Sequence, residues 1–64
     1  MLSLKFQQKI YDAYKEDEVD GYIRHGGYDY SIAYNAACTI HTWIIRRKGK
    51  ENWHWLQPLD ENIE

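Results

Sequence analysis

The side chains best suited to metal chemistry in this sequence are one cysteine and three histidines. Two residues separate Cys38 from His41, and twelve separate His41 from His54. This spacing loosely resembles that of zinc ligands, and His25 would supply a fourth ligand. On a β-hairpin, however, we expect His41 and His54 on opposite faces of the sheet. Three partly exposed histidines and a small buried thiol are therefore the favoured interpretation, and no metal or other cofactor is predicted.

The same cysteine and histidine are the nearest approach to a catalytic pair. A Cys38 nucleophile with His41 as its base requires a third group to orient the histidine and a pocket for substrate. Neither is visible in a chain of 64 residues. The carboxylates of Glu16–Asp20 are adjacent acids at an expected turn, where such groups are usually just solvated. The sequence therefore predicts no enzyme.

The most pronounced charge feature is the basic cluster Arg46-Arg47-Lys48-Gly49-Lys50, in a chain whose net charge is −2. The acids gather elsewhere, in Glu16–Asp20 and in the last five residues, 60–64. Charge runs are usually solvated turns, but separated acidic and basic patches also steer partners and fix their orientation. The two kinds of patch would face each other within the fold or pair between two copies of the chain.

A β-hairpin is the element predicted to carry the basic cluster. Thr39–Ile45 is rich in Thr, Ile and Trp, which favour extended structure, and Asn52–Leu56 returns as the second strand. A type I turn at Arg47-Lys48, with Gly49 supplying positive φ, would make a three-residue connection. Pro58 ends the second strand or marks a sheet edge. Pairing of residue 46 with 50, or of 47 with 51, places the odd-numbered residues on one face. That face would carry His41, Trp43, Ile45, Trp53 and Trp55.

The remaining elements are predicted from local signals. Apolar residues at helical spacing, with Ser3 as N-cap, indicate a helix from about Leu4 to Lys15. Gly26-Gly27 between two aromatic runs favours a second, short hairpin. A strand near Tyr22–Arg24 would then add to the tryptophan hairpin, with the helix covering the tryptophan face. The alanines that follow favour a short helix around Tyr30–Cys38.

The predicted class is therefore α+β, with the N-terminal helix packed on a small antiparallel sheet built around the tryptophan-rich hairpin. Residues 1–59 would form one small domain and residues 60–64 an acidic flexible tail. The alternative is an all-α helical hairpin, with one helix from about Tyr30 to Arg47 capped by Asp29 or Ser31. Its apolar stripe would be Ile32, Ala33, Ala36, Ala37, Ile40, Trp43 and Ile44.

Length and composition restrict the other classes of protein. A domain of this size buries only about 60 % of its unfolded surface, so the core is small. A single cysteine excludes an intrachain disulfide and gives no indication of an oxidising compartment. Met1–Phe6 lacks a continuous apolar run, so neither a signal peptide nor a membrane span is predicted. The expected location is the cytoplasm.

The predicted function is a non-enzymatic module that binds another protein, in the manner of a small phage or mobile-element inhibitor of a host protein. Six tyrosines and three tryptophans accompany arginine in this chain, and these residue types dominate interface hot spots. An exposed aromatic face would equally pair two copies into a homodimer. The predicted contact residues are Tyr28, Tyr30, Arg46, Arg47, Lys48, Lys50 and His54.

A DNA-binding regulator is the alternative function. A short helix followed by a hairpin with a basic tip resembles the second half of a winged helix. His41–Lys50 is also similar to the end of the recognition helix in excisionase-like DNA-binding domains, which often carry Trp-Ile and a basic Gly-Lys. Either resemblance implies a duplex bound through the basic cluster. The acidic net charge disfavours it, because affinity for DNA comes mainly from phosphate neutralisation.

Overall fold

One helix and a four-stranded antiparallel sheet form the fold. The computed structural model describes residues 2–18, 20–35, 37 and 39–60. The strands are hydrogen-bonded in the order in which they follow one another along the chain. The predicted α+β class is confirmed, and the all-α alternative is wrong. The elements are α1 (Leu4–Glu16), β1 (Ile23–His25), β2 (Tyr28–Tyr34), β3 (His41–Arg47) and β4 (His54–Pro58).

The N-terminal helix begins and packs as its sequence pattern predicts. The hydroxyl of Ser3 caps it by accepting a hydrogen bond from the backbone N–H of Phe6, at 3.2 Å. Ile10, on the apolar face of α1, is completely buried against the sheet. The face of the sheet that α1 covers is called the helix side below, and the opposite face is called the open face.

The predicted glycine hairpin is confirmed, and it joins β1 to β2. Gly26 and Gly27 have φ values of 59° and 82°. Positive φ at both central residues is the requirement of the two-residue turn whose twist matches the strands on either side. The turn pairs His25 with Tyr28.

The short helix predicted around Tyr30–Cys38 is wrong, because strand β2 occupies Tyr28–Tyr34. The strand lies between β1 and β3, so its backbone groups find partners on both sides. Its buried residues fall on both faces, Asp29 and Ser31 on the open face and Ile32 on the helix side. Burial between two neighbouring strands outweighs the helix propensity of the alanines that follow. Cys38 lies outside the described residues.

The positive φ predicted at Gly49 is confirmed, but the predicted three-residue connection between β3 and β4 and the predicted pairing of these strands are wrong. Gly49 has a φ of 76°, and the N–H of Lys50 donates to the carbonyl of Arg47 at 2.9 Å. The connection between the strands has six residues, 48–53, and brings Ile44 opposite Trp55. A β-bulge then leaves Leu56 as the extra residue before Gln57 pairs with Trp43.

This register separates the three tryptophans, which the sequence had placed on one face. Trp43 lies on the helix side and is completely buried with Ile10 and Ile32. Trp55 pairs with Ile44 on the open face and is 55 % exposed. A six-residue connection does not impose the odd-with-odd pairing of a three-residue loop. The helix therefore covers one indole and not three. Partly buried residues around the core are Leu2, Phe6, Tyr11, Tyr14, Ile23, Tyr30 and Leu59.

We expect Trp43→Ala to reduce the free energy of unfolding by about 3–5 kcal/mol, because it removes the largest buried side chain. Trp55→Ala is the matched control, since it removes an indole that is more than half exposed, and we expect a loss of about 1 kcal/mol or less. Urea unfolding followed by circular dichroism measures both. Equal losses from the two substitutions would contradict the assignment of the indoles to opposite faces.

Candidate binding surface

Five of the seven predicted contact residues border one hollow at the end of the β3–β4 hairpin. This hairpin hollow has a volume of about 340 Å³. Strand pairing assembles it on the helix side, because Tyr28 lies opposite Arg47, and Ile45 lies opposite His54. Side chains of directly opposed residues are neighbours on one face of a sheet. The lining residues are Tyr28, Ile45, Arg46, Arg47, Lys50, Asn52 and His54.

The other two predicted contact residues have different positions. The ring of Tyr30 packs edge-on against Phe6 of α1, with ring centroids 4.9 Å apart, so it is partly buried in the core. Lys48 is exposed in the turn and does not line the hairpin hollow. Its backbone N–H donates to the carbonyl of Gly27 at 3.0 Å, which ties the two hairpin turns together.

The buried carboxylate of Asp29 holds the hairpin end in place from the open face. One carboxylate oxygen accepts a hydrogen bond from Nε of Arg24 and the other from Nε of Arg46, each at 2.8 Å. The N–H of Gly49 lies 3.5 Å from the second oxygen. Asp29 is completely buried and thus links β1, β2, β3 and the turn that follows β3. Buried charges of this kind are stable only when they are paired and hydrogen-bonded.

Sequence reasoning missed this role of Asp29, which it considered only as a helix cap. A usable signal was present, because aspartate is depleted in strands and this one lies between Tyr28 and Tyr30 in an aromatic run. An aspartate in such a position indicates a buried partner. The partners themselves, Arg24 and Arg46, become apparent only from the pairing of three strands.

Arg46, one of the predicted contact residues, makes several interactions within the fold. Its guanidinium lies over the ring of Trp53, 4.3 Å from the centroid, and 5.3 Å from the centroid of Tyr22. Its side chain is only 19 % exposed. The guanidinium therefore interacts with two aromatic rings while binding Asp29. Arg46 positions the hairpin, and other residues supply the available charge.

The available charge of the hairpin hollow comes from Arg47 and Lys50, with His54 beside them. All three are exposed. Among the described residues, no carboxylate lies within ion-pair distance of either cation, whereas Arg24 and Arg46 both bind Asp29. Tyr28, 41 % exposed, adds an aromatic ring and a phenol to the same wall. The hollow can therefore bind an anion that approaches from outside the molecule.

Of the residues considered as metal ligands, His41 and His54 are not brought together, and Cys38 lies outside the described residues. His41 stacks on Tyr34, with ring centroids 4.4 Å apart, at the opposite end of β3 from His54. The expectation that the two histidines lie on opposite faces is wrong, because His54 pairs with Ile45 on the helix side. Four strand positions nevertheless separate them, about 13 Å. The described part of the chain contains no group of three or more potential ligands that could hold a metal ion.

No protein-family model, curated protein or solved structure matches this chain. The described residues include no helix that is long and apolar enough to cross a membrane.

We expect the stability of the protein to fall as acid protonates Asp29. The guanidinium of Arg24, with that of Arg46 and the Gly49 N–H, lowers the pKa of this carboxyl from 3.8 to about 2. A carboxyl whose pKa is depressed on folding stabilises the folded state above its unfolded pKa, and this contribution disappears as the pH falls through the folded pKa. The loss should therefore extend from about pH 4 to about pH 2.

Asp29→Asn tests this expectation in urea unfolding experiments at pH 7 and at steps down to pH 2. It should reduce the free energy of unfolding at pH 7 by about 2 kcal/mol, because two arginines lose a charged acceptor. It should also flatten the acid dependence. Glu51→Gln, at an exposed position, is the control and should change stability by less than about 0.5 kcal/mol. An unchanged dependence of stability on acid in Asp29→Asn would contradict the role of Asp29 as the paired, buried carboxylate.

Proposed function

We propose that this chain is a non-enzymatic module that binds another protein through the hairpin hollow. The observation that carries the proposal is the pair of exposed cations, Arg47 and Lys50, that have no carboxylate partner among the described residues. They border a hollow whose wall includes the exposed ring of Tyr28. A concave surface that combines aromatic area with uncompensated positive charge suits an acidic region of a partner protein.

The way the hollow is built supports tight recognition. Tyr28 and Arg47 lie on adjacent strands rather than on a long loop. The buried Asp29 holds these strands and the turn from below. Side chains presented by a rigid framework lose less conformational freedom on binding, so more of the interaction energy appears as affinity.

Inhibition is the form of binding that we propose for this module. A small rigid domain whose basic surface covers an acidic site would block access of the natural ligand to that site. Small inhibitors of this kind, encoded by phage or mobile elements, are the class to which we assign the chain. A homodimer that uses the same surface is the variant in which the partner is a second copy.

The rival proposal is a DNA-binding regulator, and the exposed basic turn favours it. However, the helices that the winged-helix and excisionase-like resemblances require are not helices in this structure. The helix expected before the hairpin is strand β2, and the residues compared with a recognition helix form strand β3. The remaining basis for DNA binding is the charge of Arg47, Lys48 and Lys50, on a chain with a net charge of −2.

We expect affinity enrichment from lysate of the source organism to recover a partner with the unaltered chain and not with the Arg47→Glu/Lys50→Glu variant. Charge reversal at the hollow places like charges opposite an acidic partner, which costs several kcal/mol. Quantitative mass spectrometry measures the recovery of each protein. Lys15→Glu, at the far end of α1, is the control and should retain the partner.

Duplex DNA titration at two salt concentrations decides between this proposal and its rival. Micromolar binding that weakens steeply with salt and disappears in Arg47→Glu/Lys50→Glu would favour a DNA-binding regulator. Enrichment of the same proteins by the unaltered chain and by that variant would contradict the assigned surface. Sedimentation of the unaltered chain reports whether a second copy is the partner.

A further inference from the structure

A second hollow lies beside the hairpin hollow, where α1 begins. This helix-start hollow has a volume of about 470 Å³. Two lysines one helical turn apart, Lys5 and Lys9, form one wall, and His25 of β1 belongs to the other. All three side chains are exposed. The lining residues are Leu2, Ser3, Lys5, Phe6, Lys9, His25 and Tyr30.

Strand pairing makes the two hollows neighbours on the helix side of the sheet. His25 of the helix-start hollow lies opposite Tyr28 of the hairpin hollow, and Tyr28 lies opposite Arg47. Tyr30 and Ile45, also one from each hollow, form a second opposed pair. Opposed side chains on one face are about 5 Å apart. The two hollows are therefore joined along two rows of the sheet.

Charge is strongly segregated onto this joined surface. Among the residues that the structure describes, no aspartate or glutamate lines either hollow, although the chain has ten acids and eight lysines and arginines. The lining includes four of those eight cations, whose charged groups are not bound to Asp29, together with two of the three histidines. They are Lys5, Lys9, His25, Arg47, Lys50 and His54. Arg46 also borders the hairpin hollow, but its guanidinium binds Asp29 on the open face.

We infer that the two hollows form one docking surface for an extended acidic segment of a polypeptide. The inference rests on the proposed function and names the partner's chemistry at the same site. Carboxylates at one end of the segment bind at Lys5 and Lys9, and carboxylates at the other end bind at Arg47 and Lys50. The rings of Tyr28 and His25 contact the segment between them.

The dimensions of the sheet set the length of the segment. The sheet part of the surface runs from His25 on β1 to His54 on β4, across three strand spacings or about 14 Å. An extended chain advances about 3.3 Å per residue. A segment of about five or six residues with acids at both ends therefore spans the surface.

The observations favour a polypeptide over a nucleic acid. Helix α1 has 13 residues, so the acidic run that begins at Glu16 lies about 20 Å from the helix start. A phosphate backbone that continued along the helix would meet those acids, whereas a short peptide ends before them. Single-stranded nucleic acid also needs exposed rings for stacking. Of the described residues that line the two hollows, Tyr28 offers a well-exposed large aromatic ring, whereas Phe6 and Tyr30 belong to the core. Trp55 is exposed but lies on the open face, away from both hollows.

NMR titration of the whole isotope-labelled chain tests the inference. The probe is the peptide Glu-Glu-Gly-Ser-Glu-Glu, blocked at both ends. We expect its addition to shift the backbone amide signals of His25, Tyr28 and Arg47 and those at the start of α1. Lys5→Glu/Lys9→Glu and Arg47→Glu/Lys50→Glu should each weaken binding about tenfold, because each variant replaces two attractive contacts by repulsive ones.

Lys15→Glu provides the control, because it makes the same lysine-to-glutamate change on α1 but at the opposite end of the helix from Lys5 and Lys9. It should alter affinity less than about twofold, and the dispersion of the amide spectrum verifies folding of every variant. Loss of binding in Arg47→Glu/Lys50→Glu but not in Lys5→Glu/Lys9→Glu would overturn the joined surface and leave the proposed function intact. Tighter binding of a six-nucleotide single-stranded DNA at the same ionic strength would overturn the choice of a polypeptide. Unaltered affinity in both double variants would overturn the inference and the hollow on which it rests.

Discussion

The buried carboxylate of Asp29 is the interaction on which the presentation of this surface depends. It lies on β2, one of the two inner strands, and binds one arginine from each neighbouring strand, Arg24 and Arg46. Its charge is unfavourable away from water unless both oxygens are paired, so the three strands and the following turn are held in one arrangement. The arginines that neutralise it face the open side. The cations on the helix side remain available to a partner.

The three tryptophans of the C-terminal hairpin lie in three different environments. Trp43 fills the core beneath α1, Trp53 stacks on Arg46, and Trp55 remains exposed on the open face. A uniform tryptophan face would have required a helix large enough to cover all three rings. The register of β3 and β4, with its bulge, lets a helix of 13 residues enclose a small core.

Features that depend on only a few neighbouring residues could be predicted from the sequence. The cap at Ser3, the Gly26-Gly27 turn and the positive φ at Gly49 each depend on a few neighbouring residues. The identity of β2 and the faces of the tryptophans depend on which strands pair and in what register, and a single sequence contains little of that information. Alanines alone favour a helix around Tyr30–Cys38, and only the pairing of β2 with strands on both sides overrides that local preference.

The residues of the candidate site also fall into those that the sequence predicts and those that only the packing of the chain brings together. Arg47, Lys50 and His54 were found because they lie in one basic, aromatic stretch. Lys5 and Lys9 are more than thirty residues earlier in the chain, and only the packing of α1 on β1 and β2 brings them to the same surface. The sequence alone predicts Arg46 as a partner-contact residue, and its ion pair with the buried Asp29 becomes apparent only when the strands are aligned.

The outer edges of the sheet have a consequence for how the protein behaves at high concentration. β1 has only three residues, and β4 contains a bulge and ends at Pro58. Short, irregular edges that end in proline oppose the addition of a further strand from another molecule. Growth into fibrils by edge-to-edge addition is therefore disfavoured in the native state, even though indole and isoleucine side chains remain in contact with water.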